Sequence, residues 1–284
     1  MLSSFRISTT KRLMYSGIAI TLFWLFVALF APLFQEMGIL QDPTDLLNNI
    51  PRESPSINHL FGTDIRGYDV LSRTLVGSQA ALKVVFLSTI FSLMIGVPSG
   101  LISGYLGGNL DKFLMFLMDT IYTIPGLLLS VTLSFILGKG IINIAIAVSI
   151  SYIPQYYRII RNHTNSIKNQ LFIEAAQAMG APPKTILYRY LFLNVIQNVP
   201  VIFTLNAADA ILVLGGLGFL GLGLPEEVSE WGHDLKEALP SLSTGMWWTT
   251  LFPGLAMTSM VVGLSLIGEG ISEIFIPSSQ NKNK

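Results

Sequence analysis

Two carboxylates fall where a carboxylate is costly. Asp119 and Asp209 lie inside long apolar stretches of a 284-residue chain, and an ionised carboxylate at a bilayer centre costs at least about 2.5–3.5 kcal/mol on insertion scales. Each must therefore face protein or water, either as a polar contact between helices or as part of the lining of a path. Asn206 precedes Asp209 by three residues and shares its helical face. Asp119 lies near the inner end of its stretch, which favours a helix-to-helix contact. Other reactive groups are few. The chain has no Cys and three scattered His without H-E-x-x-H, so disulfides, thiolate chemistry and a metal site are not expected. No nucleophile–base pair stands out, which leaves a membrane enzyme poorly supported. Gly216-Leu217-Gly218-Phe219-Leu220-Gly221 satisfies G-x-G-x-x-G, but no strand-then-helix unit frames it, and no G-x-x-x-x-G-K-[ST] occurs. This chain does not supply a P-loop.

The elements that must position these residues are membrane helices. Hydrophobic residues make up 51% and charged residues 12%, with a mean hydropathy of +0.59, against about 25% charged in average soluble domains. A net charge of zero gives no reason to expect nucleic acid as a partner. Six apolar stretches reach the roughly 20 residues that a span needs, near 14–34, 82–106, 113–137, 140–160, 195–219 and 250–274. The fold class expected is all-α, with about six transmembrane helices. Placing the N-terminus inside puts eleven basic residues on the inner face and six on the outer face, which predicts cytoplasmic N- and C-termini. The outer segments, about 35–80 and 220–249, are then substantial. The first is expected to be irregular and then to form an amphipathic helix from Tyr68 to Ser78.

Between the fourth and fifth stretches lies a polar insert of about thirty residues, 162–194, which a chain crossing a bilayer does not need. Phe172 to Met179 is good helix material, and Gly180 is placed to end it in a left-handed cap. Pro182 and Pro183 stop simple continuation, and Lys184 to Leu193 is expected to start a second short helix. Ala175, Ala176 and Ala178 keep the first helix slim, and Glu174 suits its N-terminal end. From the residues alone, this is either a surface for another protein or an ordinary amphipathic loop.

Glu174-Ala175-Ala176, three residues, then Gly180 resembles the EAA motif of ABC importer permeases. His59-Leu60-Phe61-Gly62-Thr63-Asp64, then Gly67, Asp69-Val70-Leu71-Ser72-Arg73 and Gly77, is similar to the dipeptide, oligopeptide and nickel permease subfamily. So are Phe219 to Pro225, Trp231-Gly232, Trp247-Trp248 and Pro253-Gly254-Leu255-Ala256. The matches span roughly residues 15 to 277. The chain departs from the subfamily at Tyr68, Gly218, Tyr190, Leu193 and Gly268-Glu269, which bears on the cargo and leaves the family intact. The resemblance implies a type I ABC importer permease-like fold in a bacterial plasma (inner) membrane. Glu174, Ala175, Ala176, Gly180 and Lys184 would then couple to an ATPase. It implies a homologous second permease subunit, two ABC ATPase subunits that carry the ATP and Mg, and an extracytoplasmic substrate-binding protein. No cofactor is expected on this chain itself.

Gly96, Gly100, Gly104 and Gly108 recur every four residues, which stacks them on one helical face for close helix packing. Pro98, Pro125, Pro154, Pro200 and Pro253 place one proline in or near each of the last five stretches, where each favours a kink. The expected organisation is a 1–80 region with the first span and the long outer loop, an 81–277 five-helix core in contact with membrane lipid, and a polar tail over 278–284. The leading functional expectation is an ABC importer permease subunit, not itself an enzyme, for di- or oligopeptides. Nickel or another small solute is the alternative cargo. A transporter driven by an ion gradient, using Asp209 as its coupling carboxylate, is the reading from another class.

Overall fold

The structure, a computed structural model, describes residues 2–45 and 49–275; the expected tail at 278–284 lies outside the described residues. Among those described, nine helical runs account for the architecture. They are α1 (Leu2–Glu36), α2 (Val70–Leu106), α3 (Gly108–Tyr122), α4 (Gly126–Leu137), α5 (Ile141–Ile167), α6 (Leu171–Ala178), α7 (Pro183–Phe219), α8 (Trp231–Leu242) and α9 (Trp248–Phe275).

Local chemistry sets their ends. The Asp69 carboxylate accepts the Ser72 amide at 2.8 Å and starts α2 as an N-cap. The Tyr68–Ser78 segment expected to be a helix of its own is therefore the beginning of α2, and the boundary drawn at residue 80/81 falls inside that helix. Gly107 and Gly108, both at φ +65°, turn the chain from α2 into α3. Pro125 bars its predecessor from the helical region, and the axes of α3 and α4 meet there at 88°.

Four helices are long and apolar enough to cross a membrane, or five when α3 and α4 count as one broken span. The expected count of six differs through α5. Its 27 residues are sufficient in length, but Ser149, Ser151, Tyr152, Gln155, Tyr156, Tyr157 and Arg158 lower its hydropathy. Four of these, Ser149 and the three tyrosines, are buried inside the protein. The polarity therefore belongs to helix packing. The second short helix expected over Lys184–Leu193 is not separate either. It forms the start of α7, in which a π-helical turn (Ile186–Leu191) and a 3-10 turn (Ile196–Asn198) precede the α-helix that accepts Pro200 in its first turn.

The core is centred on the α2–α5 seam and on α7, with Val84, Ile144, Val148, Ile160, Ile211, Leu214 and, from α9, Met260 almost fully buried. α1 lies along α9. Residues 37–45, residues 49–69 and α8 occupy one end of the bundle, since Arg66 pairs with Glu237 and the Trp248 indole donates to the Thr63 carbonyl. α6 follows α5 at the opposite end.

Candidate functional site

At the α6 end, two side chains anchor the helix. Ile173 and Ala176 are buried against the start of α7, where Ile186 and Leu191 are also buried. The remaining face is open: Leu171 is 82% exposed and Met179 79%, with Phe172 exposed beside Glu174 and Ala175. An unpartnered apolar surface of this kind around a single charge is what a docking helix presents. Ala176, grouped with the outward residues from sequence, instead faces the chain's own core, so Ala175 and Ala178 form the slim outer surface. Gly180 takes φ +82° and its amide reaches the Gln177 carbonyl, while the Ala181 amide reaches back to Ala176; a Cβ there would meet nothing within 4 Å. Lys184 is exposed one turn into α7.

Along the seam, α2 approaches the α5 backbone closely. A Cβ on Gly96 would sit 2.6 Å from the Tyr156 Cβ, one on Gly100 2.6 Å from the Tyr157 carbonyl, and one on Gly104 2.7 Å from the Arg161 carbonyl. Gly108 does not join this face, because it opens α3 at positive φ with free space around it.

The polar residues of the apolar helices form rungs. Asp119 accepts from the Arg158 guanidinium at 2.6 Å, and the same guanidinium lies 4.1 Å from the centre of the Tyr122 ring. Closer to the α6 end, Arg161 grips Asp111 through Nε and Nη2, and the Ser103 hydroxyl joins both Asp111 and Tyr157. Asp119 is thus a half-exposed ion-pair member between α3 and α5. Asp209 sits elsewhere, on α7, where it accepts the Tyr152 hydroxyl at 2.8 Å. Asn206 is buried one turn from it, with its side chain beside the buried Tyr156 hydroxyl. The three residues named from sequence as path candidates therefore do not form one cluster: Asn206 and Asp209 share α7, and Asp119 stands apart.

The α8 end holds chemistry that sequence reasoning missed. Arg73, at the start of α2, binds Asp234 at 2.6 Å with both side chains nearly buried, and also donates to the Pro43 carbonyl. Arg66 reaches Glu237 and Glu226, and His59 bonds Asp69 at 3.0 Å. Glu230 caps α8 by accepting the Gly232 and His233 amides. Burial pushes its carboxyl up to about 8, against the pull of those two amides. The motif glycines make room for these partners. Gly62 (φ +71°) lies under the Trp248 indole, Gly77 lies under Trp231, Gly218 leaves space for the Glu230 carboxylate, and Gly232 abuts the Gly215 backbone. The spacing of the glycine and tryptophan motifs was the available signal, but their pairing was not.

Comparison with known proteins accords with this arrangement. Residues 96–280 match the family model described as "Binding-protein-dependent transport system inner membrane component". Similar proteins include the dipeptide transport system permease protein DppC of Alkalihalophilus pseudofirmus, 31% identical over 95% of this chain and 88% of that one. The oligopeptide transport system permease protein OppC of Bacillus subtilis is 32% identical over 94% and 86%. The glutathione transport system permease protein GsiD of Pectobacterium atrosepticum is 34% identical over 79% and 74%. Among solved structures, a chain of the MetNI methionine ABC transporter in an inward-facing conformation superposes with a TM-score of 0.50 at 18% identity, covering 67% of this chain and 96% of that one. At that identity the likeness concerns the fold alone. Identity and coverage with the permease proteins settle the family: this chain belongs to the binding-protein-dependent transport system inner membrane components, as a multi-pass permease subunit of an ABC importer.

Proposed function

We propose that this chain imports short peptides as one half of a transmembrane pair with a homologous permease. Two ATPase subunits carry the ATP and Mg, and one of them docks on α6 from the cytoplasm. A substrate-binding protein delivers cargo to the end bearing residues 49–69 and α8. Both termini are cytoplasmic in this reading, and the membrane is the bacterial inner membrane. The supporting observation is the α6 surface: Ile173 and Ala176 hold it from behind, and Leu171, Phe172, Ala175 and Met179 stand open around Glu174. The names of the similar permease proteins, for dipeptides, oligopeptides and glutathione, support a peptide cargo. ATP-driven closure of the ATPase dimer would then move α6, and through α7 the helices it is continuous with.

Single Cys probes test the orientation in a chain that has no cysteine of its own. Probes at the exposed positions Ser54 and Glu227 should react with an impermeant thiol reagent from outside, and one at Ser166 should not. Labelling of Ser166 from outside would reverse the topology and remove the ATPase from α6. A second test concerns docking: Glu174→Ala with Leu171→Asp should leave the protein in the membrane while co-purification with the ATPase and peptide uptake are both lost.

A further inference from the structure

The α7 stripe Val201–Leu205–Asp209–Leu212–Gly216 repeats at four, four, three and four residues, so it forms one helical face. Leu205, Asp209 and Leu212 are exposed on it, and the two flanking residues are half-buried. Asp209 is ten residues from Val199 and ten from Phe219, the bounds of the regular α-helical part of α7, which places it about 15 Å from either bound. A stripe of Leu, Val and Gly alone could face acyl chains. A carboxylate in its middle is costly against acyl chains, so this face of α7 meets water or protein.

Two further observations give the carboxylate a direction. The Tyr152 hydroxyl donates to one Asp209 oxygen at 2.8 Å, so a nearly buried residue of α5 holds the group at the surface. No Lys, Arg or His pairs with it among the described residues, whereas Asp111 and Asp119, the acidic residues between Lys83 and Lys168, each have an arginine. Below the stripe, towards the α6 end, opens a groove of about 320 Å³ lined by Val201, Leu205, Gly268, Glu269, Ser272 and Glu273. It has two carboxylates and no basic side chain. The open face of α7 is therefore electronegative at mid-depth and again at its inner mouth.

We propose that Asp209, held by Tyr152, is a counter-charge for cationic groups of the cargo, so that this permease passes peptides with basic side chains in preference to acidic ones. The assignment rests on the peptide reading given above. Asp209 acts by offering a free carboxylate oxygen to an ammonium or guanidinium as it leaves bulk water; Tyr152 is a positioning residue that keeps the oxygen in place. Asn206 and Tyr156, one turn further in, place a buried amide and a buried hydroxyl beside the same rung.

The test uses the assembled importer in proteoliposomes, with both permeases, the ATPase and the binding protein. The tripeptides Ala-Lys-Ala, Ala-Ala-Ala and Ala-Glu-Ala serve as probes. Uptake by Asp209→Asn is divided by wild-type uptake for each peptide, which cancels the preference of the binding protein. That ratio should fall on the order of tenfold further for Ala-Lys-Ala than for Ala-Glu-Ala, with Ala-Ala-Ala between them. Asp209→Glu should restore the ranking, and Tyr152→Phe should reproduce it in weaker form. Equal losses for all three peptides would overturn the assignment while leaving peptide import intact. Loss of the partner permease on co-purification of Asp209→Asn would also overturn it, by making Asp209 half of an ion pair between subunits. A wild-type importer that moves none of the three peptides defeats the peptide reading itself, and this assignment falls with it.

Discussion

The two ends of this molecule are built on different principles. At the α8 end, segments far apart in sequence are tied by charge and directed hydrogen bonds: Arg73 to Asp234, Arg66 to Glu237, Trp231 to the Thr74 carbonyl and Trp248 to the Thr63 carbonyl. At the α6 end, a single eight-residue helix rests on two apolar side chains, Ile173 and Ala176. Directed bonds have one good geometry, whereas a small apolar footprint tolerates sliding. The α8 end is accordingly a fixed platform, and α6 is a part that moves as a unit when something pulls on it. Substitutions should separate the two ends cleanly, with stability lost at one and function lost at the other.

The largest effect is expected from Arg73→Ala. It leaves Asp234 buried without its counter-ion, which costs about 3–5 kcal/mol for comparable buried pairs. Thermal unfolding in detergent should show a large drop, and unchanged stability would mean that the platform is not held by charge.

The next effect is pH-dependent. Glu230 keeps its proton up to about 8 in the folded protein, against 4.5 for the free side chain. The folded state therefore binds more protons than the unfolded chain between those values. The stabilisation from this group is complete below pH 4.5 and is lost as pH rises through 8. Unfolding at pH 5 and pH 8.5 should show lower stability at the higher pH, and Glu230→Gln should flatten that difference.

At the other end the changes in stability shrink and those in transport grow. Gly180→Ala forces a Cβ into a left-handed conformation at a cost of about 1–2 kcal/mol, with no steric clash to add. The protein should remain folded while ATP-driven uptake falls sharply through misdirection of α6. Glu174→Ala is expected within about 0.5 kcal/mol of wild type in stability, yet it should reduce uptake and ATPase co-purification. Normal coupling in both variants would reduce α6 to a passive loop.

Sequence made the α6 end legible because its determinants are local. The helix Phe172–Met179, the left-handed Gly180 and the Pro182-Pro183 punctuation act over a dozen residues, and each appears where its chemistry requires. What failed there was a matter of facing: Ala176 looks like its neighbours in sequence and points the other way. The α8 end was opaque because Arg73 and Asp234 are 161 residues apart. No periodicity reports a partner at that distance. The apolar stretches were recognisable by length, but α5 departs from the hydropathy rule because its tyrosines pack against glycines of α2. The sequence showed those glycines without showing that the α5 backbone at Tyr156, Tyr157 and Arg161 would close onto them. Asp209 was visible as an anomaly, and only the fold revealed that its nearest donor is Tyr152 and that its face is open.

One consequence of α2 remains. It runs without interruption for 37 residues, about 55 Å at the helical rise. Its first turns hold the platform through Arg73, and near its last turn the Gly104 carbonyl accepts the Lys168 ammonium, three residues before α6 begins. A stiff strut fixed to a rigid block at one end and tethered beside a mobile part at the other carries thrust and tilt along its whole length. A shove delivered near Lys168 thus reaches the opposite end of the bundle as leverage, without any signal having to pass from residue to residue.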